Sequence, residues 1–198
     1  MGSYYYLAAQ LPYLVYGQGV PMSSAAFKDL ARDKMSSADA AALDYCTLDP
    51  EPLAVEAAGA VSATGATYAE PAPRTSSEFI NRWKEWERVL RLNLARNRAQ
   101  KLKRDAGTVT DAPEYPADAA TVAKNAQTIE SPLEAEIFLD KARWDAIESF
   151  QGISMFSEDA IYAYLLKLLL MERRTAFKTE EGLNEYKALY AAILGEAK

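Results

Sequence analysis

The 198-residue chain has no histidine and a single cysteine, Cys46. Without an imidazole there is no Ser-His-Asp triad, no Cys-His nucleophile and no His-ligated metal site. One cysteine excludes an internal disulfide and any multi-Cys zinc or iron–sulfur centre, and it points to a reducing compartment. Long apolar runs are scarce. The longest is Ala160–Met171, broken by Lys167, far short of the ~20 residues needed to span a bilayer. The start, Met1-Gly2-Ser3-Tyr4-Tyr5-Tyr6, carries no basic region and no apolar stretch of a secretory signal, and Tyr6 stands where a myristoylation pattern needs Ser or Thr. No strand-length alternation and no 20–50-residue repeat is found. Gly17-Gln18-Gly19 is too short for a phosphate loop and lacks the Gly-Lys-Ser/Thr that would complete one.

What is present describes a helical domain. A hydrophobic content of 49% and a charged content of 25% are ordinary for a globular protein able to bury a core. The length suits one domain over residues 1–198. The aromatic start, broken by Pro12, Gly17, Gly19 and Pro21, predicts a short extended or single-turn segment and then a turn. Ser23 or Ser24 can cap a helix carrying Phe27 and Leu30, and Ser36 with Asp39 approximates a capping box for a second that ends near Cys46. Residues 47–75 form an Ala/Pro-rich connector, expected to be mobile because it has little to bury, with at most one helical stretch around Ala54–Val61. Thr75 with Glu78 predicts the start of a long helix over about 76–104, striped by Phe79, Trp83, Trp86, Leu90 and Leu94. Gly107, Pro113 and Pro116 mark a second loop. Ser131-Pro132-Leu133-Glu134 is the clearest helix start, with proline at the first helical position, and Gly152 is the expected stop. Further helices are predicted from Ser157 to about Phe177 and from Thr179 to about Gly195. The class is all-α: a helical bundle with one long basic helix and a C-terminal group of three helices.

The long helix concentrates positive charge. Arg82, Lys84, Arg88, Arg91, Arg96, Arg98, Lys101, Lys103 and Arg104 are opposed within that span only by Glu85 and Glu87, although the whole chain carries −6. That overall charge argues against non-specific binding to nucleic acid or anionic membrane by the chain as a whole. Locally, the row reads as a docking surface for an acidic partner, with Arg91, Arg96, Arg98, Lys101 and Lys103 as its contacts, or as a solvated face whose basic end suits the helix dipole. A nucleic-acid face over Arg88–Arg104 is the remaining reading, but no aromatic residue after Trp86 interleaves with the cations to stack bases. Asp140 shares a helix face with Leu133, Ile137, Trp144 and Ile147. A buried lone carboxylate is costly, so Asp140 is expected to pair with Lys167 or with an arginine such as Arg143; the alternative is a rotated helix that brings it to water. Glu134/Glu136 and Glu180/Glu181 sit near helix starts, where acidic residues favour the dipole. Cys46 reads as a small buried apolar side chain, and the tyrosines at 4, 5, 6, 13 and 16 as packing residues. No catalytic, cofactor-binding or metal-ligating set assembles from these residues, so the chain is read as a non-enzyme without cofactor or small-molecule substrate.

Three segments carry a family resemblance: Tyr4-Tyr5-Tyr6-Leu7-Ala8-Ala9-Gln10-Leu11-Pro12; Ser131-Pro132-Leu133-Glu134-Ala135-Glu136 followed by Leu139-Asp140 and Arg143-Trp144; and Ala160-Ile161-Tyr162-Ala163-Tyr164-Leu165-Leu166-Lys167-Leu168 with Glu172-Arg173-Arg174. Together they resemble a bacterial family of unassigned molecular role whose genes lie among those for V-type (vacuolar/archaeal-like) ATPase subunits. The third is also similar to a helix of the socket component of V-type ATPases (the C-type component, d-type in eukaryotes), which sits between the membrane rotor ring and the central stalk. The resemblance implies an accessory or socket-like role without catalysis, V-type ATPase subunits as partners, and a cytoplasmic protein that meets the inner membrane only through that complex. The chain is much shorter than a full socket component, so the three-lobed shape of that component is not implied.

Overall fold

The computed structural model describes residues 4–49, 74–101 and 116–176. Among them are seven α-helices and no strand: α1 (Tyr5–Gln10), α2 (Ser24–Lys34), α3 (Ser37–Ala42, continued by a 3-10 turn at Leu43–Tyr45), α4 (Glu78–Lys101), α5 (Ala117–Thr128), α6 (Pro132–Gln151) and α7 (Glu158–Ala176). The bundle is all-α, as the sequence predicts. The expected helical stretch at 54–61, the last three residues of the long helix and the helix over 179–195 lie outside the described residues.

Serine starts most of these helices. Ser23, Ser36, Ser131 and Ser157 accept from the backbone N–H three residues on, at 3.1, 3.2, 3.4 and 3.4 Å, which satisfies a donor that the first turn leaves orphaned. The long helix departs from the sequence expectation. Its cap is Ser77, whose Oγ accepts from Ile80 N at 3.2 Å, while Thr75 is held in a reciprocal clasp with the Asn81 side chain at 2.7 and 2.8 Å. α6 stops at Gly152, whose φ of 72° lies in the left-handed region that glycine enters without a Cβ penalty.

α4 is the axis of the core. Trp83 and Trp86 stack with ring centroids 6.0 Å apart, and both are buried with Phe79, Ile80, Val89 and Leu90. Their indole N–H groups find acceptors, Trp83 in Thr47 O at 3.0 Å and Trp86 in Asp118 Oδ2 at 2.8 Å, as buried indoles require. Lys84, Glu87 and Arg88 are buried as well, so α4 is enclosed on most sides until Leu94 and emerges only in its last two turns. Of the row of cations read along this helix, Lys84 and Arg88 therefore lie within the fold and not on its surface.

α5 has no counterpart in the sequence expectation, which assigns nothing to 117–130 after the Pro116 loop. Its inward face is Ala119, Ala123 and Ala126, whose small side chains give a weak apolar stripe but let the helix lie close along α4. Trp86–Asp118 at one end and Gln127 Nε2 to Asn97 O (3.0 Å) at the other set the two helices running in the same direction. α6 and α7 are antiparallel, joined by Lys167–Glu148 and Arg173–Glu136. α7 is buried along most of its length, in agreement with its nearly all-round apolar sequence.

The N-terminal segment is fastened onto this frame. Tyr164 Oη donates to Pro12 O at 2.9 Å and Tyr16 Oη to Ile137 O at 3.0 Å. α2 meets α7 through one carboxylate: Ser24 N donates to Glu172 Oε1 at 2.6 Å and Ser24 Oγ to Oε2 at 2.7 Å. Glu172 thus serves the N-terminus of α2 from another helix, where the dipole favours a negative charge. Glu172→Ala is expected to lower unfolding stability by about 1–3 kcal/mol, read from urea midpoints at unchanged slope. A loss within ~0.3 kcal/mol, the size of a neutral surface change, would mean that this clip holds nothing.

Candidate functional site

Three of the buried charged residues, Glu87, Asp140 and Arg143, are the centre of an alternating ladder. Asp49 Oδ1 meets Arg91 at 2.7 Å; Arg91 Nε meets Glu87 at 2.8 Å; Glu87 takes Nε and Nη2 of Arg143 at 3.0 Å each; Arg143 Nη1 meets Asp140 at 3.1 Å. Arg173 closes the series, 3.9 Å from Asp140 and 3.0 Å from Glu136. The ladder joins the segment after α3 to α4, α6 and α7. Its centre is dry: Glu87 is 1% exposed and Asp140 2%.

Local sequence explains each placement. Glu87 and Arg91 are one turn apart on α4, and Asp140 and Arg143 are neighbours at i and i+3 on α6. The two-pronged contact between Arg143 and Glu87 uses the planar guanidinium fork, which fixes direction as well as distance. Burial works against the charge on Arg143, but Glu87 and then Asp140 outweigh it and hold the guanidinium above its usual value. Arg91 is raised in the same way: burial opposes its charge, and Glu87 and Asp49 more than restore it. Asp140 goes the other way. Burial pushes its carboxyl above the ordinary carboxylate value despite the opposing pull of Arg173 and Arg143. Each carboxylate of the ladder is engaged by a guanidinium, an arrangement that sets the register of three helices.

Of the two partners expected for Asp140, the structure chooses Arg143 and adds Arg173. Lys167 is not its partner. That ammonium lies 3.1 Å from Glu148 Oε1 and 5.2 Å from the centre of the Trp144 ring, because α7 presents Lys167 to the far end of α6. Nor does Asp140 reach water: Leu133 and Ile137 take the edge of α6, while Trp144 and Ile147 turn inward with Asp140.

The candidate partner-binding residues divide. Arg91 is corrected: its guanidinium is tied to Glu87, Asp49 and Leu48 O, so it braces the fold. Arg88 is buried and doubly bonded to Glu85 at 2.8 and 2.6 Å. Arg96, Arg98 and Lys101 lie on the last turns of α4, where all three are exposed; Lys103 lies outside the described residues. Cys46 is buried, and burial pushes its thiol well above the usual range, which disfavours the reactive thiolate. Tyr4 and Tyr16 pack as expected, whereas Tyr5, Tyr6 and Tyr13 stand in solvent.

The hub of the ladder, Glu87, is the residue that sequence reasoning misses, because within a basic stretch it figures only as an opposing charge. The available signal is its position between Trp83, Trp86 and Leu90, on a helix with too few polar positions to keep it outside. Comparison with known proteins adds no relative: no family model, no curated protein and no solved structure matches this chain.

The two buried carboxylates should respond oppositely. Glu87→Gln leaves Arg143 and Arg91 under-compensated inside the protein and is expected to cost about 3–5 kcal/mol. Asp140→Asn is expected to change stability by less than about 1 kcal/mol at neutral pH, since the site disfavours the ionised form. Because the folded-state value of Asp140 is raised, its contribution is complete at pH values below its unfolded value and is lost as pH rises through the folded one. Urea unfolding of both variants across the acidic-to-neutral range checks this. The asparagine variant should lack that decline, and an Asp140→Asn cost equal to that of Glu87→Gln would contradict the assignment.

Proposed function

We propose that this chain is a non-enzymatic accessory or socket-like component of a V-type ATPase, acting by protein–protein contact through the cationic end of α4. The observation that carries this reading is the emergence of Arg96, Arg98 and Lys101 at the surface of a chain whose total charge is −6. An otherwise acidic molecule that projects a short cationic helix end is suited to steering onto an acidic protein surface.

The three segments that carry the family resemblance support the reading in a second way, because their residues contact one another. Tyr164 bonds Pro12, Arg173 bonds Glu136, and Asp140 lies between Arg143 and Arg173. Residues scattered over the sequence thus build one unit of α1, α6 and α7, with the cationic end of α4 outside it. The competing nucleic-acid reading over Arg88–Arg104 loses ground, since Arg88 and Arg91 are engaged within the fold and cannot join a phosphate-tracking row.

The test is affinity capture of the tagged full chain from detergent-solubilised membranes of its native host, with co-purifying proteins identified by mass spectrometry. V-type ATPase subunits should be recovered, and recovery should fall about tenfold or more in the triple reversal R96E/R98E/K101E, which leaves the ladder intact. Reproducible absence of those subunits would overturn the ATPase reading. Recovery that survives the reversal would retain the partner and remove the α4 end from the interface.

A further inference from the structure

The three most exposed large apolar side chains among the described residues gather at one place. Ile153 is fully exposed, Tyr13 is 89% exposed and Met155 71%, and all three rim one cleft of about 430 Å³ where α1 and its following turn meet the α6–α7 connection. Leu11, Leu14, Ile161 and Tyr164 line the cleft beneath them. The cause lies in the chain: Gly152 ends α6, and Ile153, Met155 and Phe156 follow within a short turn that has no described element above it to bury them. The rim is nevertheless built. Tyr4 N donates to Phe156 O at 2.7 Å, and the Tyr5 ring lies 4.5 Å from that of Phe156. A fixed apolar rim around a concave floor is the signature of a contact surface.

The polar groups around the cleft identify the occupant. Lys167, on its floor, is neutralised by Glu148 Oε1 and covered by the Trp144 ring. The same Oε1 accepts Trp144 Nε1–H at 2.9 Å, so it is fully used, while Glu148 Oε2 has no partner among the described residues and its side chain is half exposed. Of the two charged residues that line the cleft, Lys167 is already held, while Glu148 keeps a half-exposed carboxylate oxygen free, which offers no free cation to an anionic lipid surface and favours a cation arriving with the apolar group.

We propose that this cleft docks a short amphipathic segment of a partner protein, its apolar residues among Ile153, Met155 and Tyr13 and a lysine or arginine on Glu148 Oε2. The surface is separate from the cationic end of α4. Ser77 Oγ lies 3.5 Å from Asp159 Oδ1, which places the start of α7 at the start of α4, and Arg98 is roughly 30 Å further along that axis at 1.5 Å per residue. The two faces can be occupied together, so the protein can bridge two partners.

A fluorescent leucine/lysine amphipathic peptide of about four helical turns, titrated into the full chain and followed by anisotropy, tests the proposal. Parallel titrations use a leucine/glutamate peptide and phosphatidylglycerol vesicles. The lysine peptide should bind, the double variant I153D/M155D should weaken it about tenfold or more, and E148Q should weaken it about threefold or more. The glutamate peptide should bind about tenfold less well or worse, and R96E/R98E/K101E should leave the affinity unchanged. Both 153 and 155 are surface positions, and unchanged thermal unfolding of the double variant confirms that its fold is retained. Equal binding of the lysine peptide to wild type and I153D/M155D, no binding at all, or vesicle binding that the double variant abolishes would each overturn it, the last by making the cleft a membrane-facing surface.

Discussion

The two parallel hydrogen bonds between Arg143 and Glu87 are the contact on which this bundle depends. They lie where α4 and α6 face each other, with almost no access to water, and the groups on either side are arranged by them. Glu87 is held in place for Arg91, and Arg91 pins the segment that ends at Asp49; Arg143 is held for Asp140, and Asp140 draws in Arg173 from α7. Apolar packing alone tolerates sliding and rotation of helices, because leucine and alanine surfaces accept many registers. A buried charge pair does not, since any displacement leaves an uncompensated ion. The hydrophobic residues of this chain supply the drive to collapse, and the ladder selects one arrangement of the helices.

That division explains what is legible in the sequence. Serine caps and apolar stripes are local: Ser23, Ser36, Ser131 and Ser157 each announce a helix within a few residues, and Gly152 announces a stop. The ladder is not local. Glu87 and Arg143 are 56 positions apart, and no spacing rule links them, so the sequence places Asp140 on a buried face without saying which cation answers it. Lys167 is a natural candidate because it interrupts an apolar run, yet its height along α7 sets it opposite Glu148. α5 is illegible for a different reason. Its alanines carry little hydrophobic contrast, and its stability comes from lying against α4, a gain that exists only after the tryptophans are in place.

The charge on α4 is legible in amount but not in use. A run of cations reads as a surface, but a 24-residue helix that crosses a core must bury some of whatever it carries. Here the enclosed Arg88 and the half-enclosed Arg91 are answered by Glu85 and Glu87, and the emergent part keeps its cations outside. One helix is therefore both the axis of the fold and a cationic projection from it. Exchange of residues in the last turns changes the electrostatic face of the molecule without disturbing the packed turns before them.

The buried thiol has a practical consequence. Cys46 is the sole cysteine of the chain, it is closed off from solvent beside the 3-10 turn, and its thiolate is disfavoured. A thiol reagent can reach it only while the segment over the tryptophan core is transiently open. The protein thus carries a built-in clock for its own breathing: the ratio of the labelling rate to that of a free thiol gives the free energy of that opening in the native state, with no engineered probe.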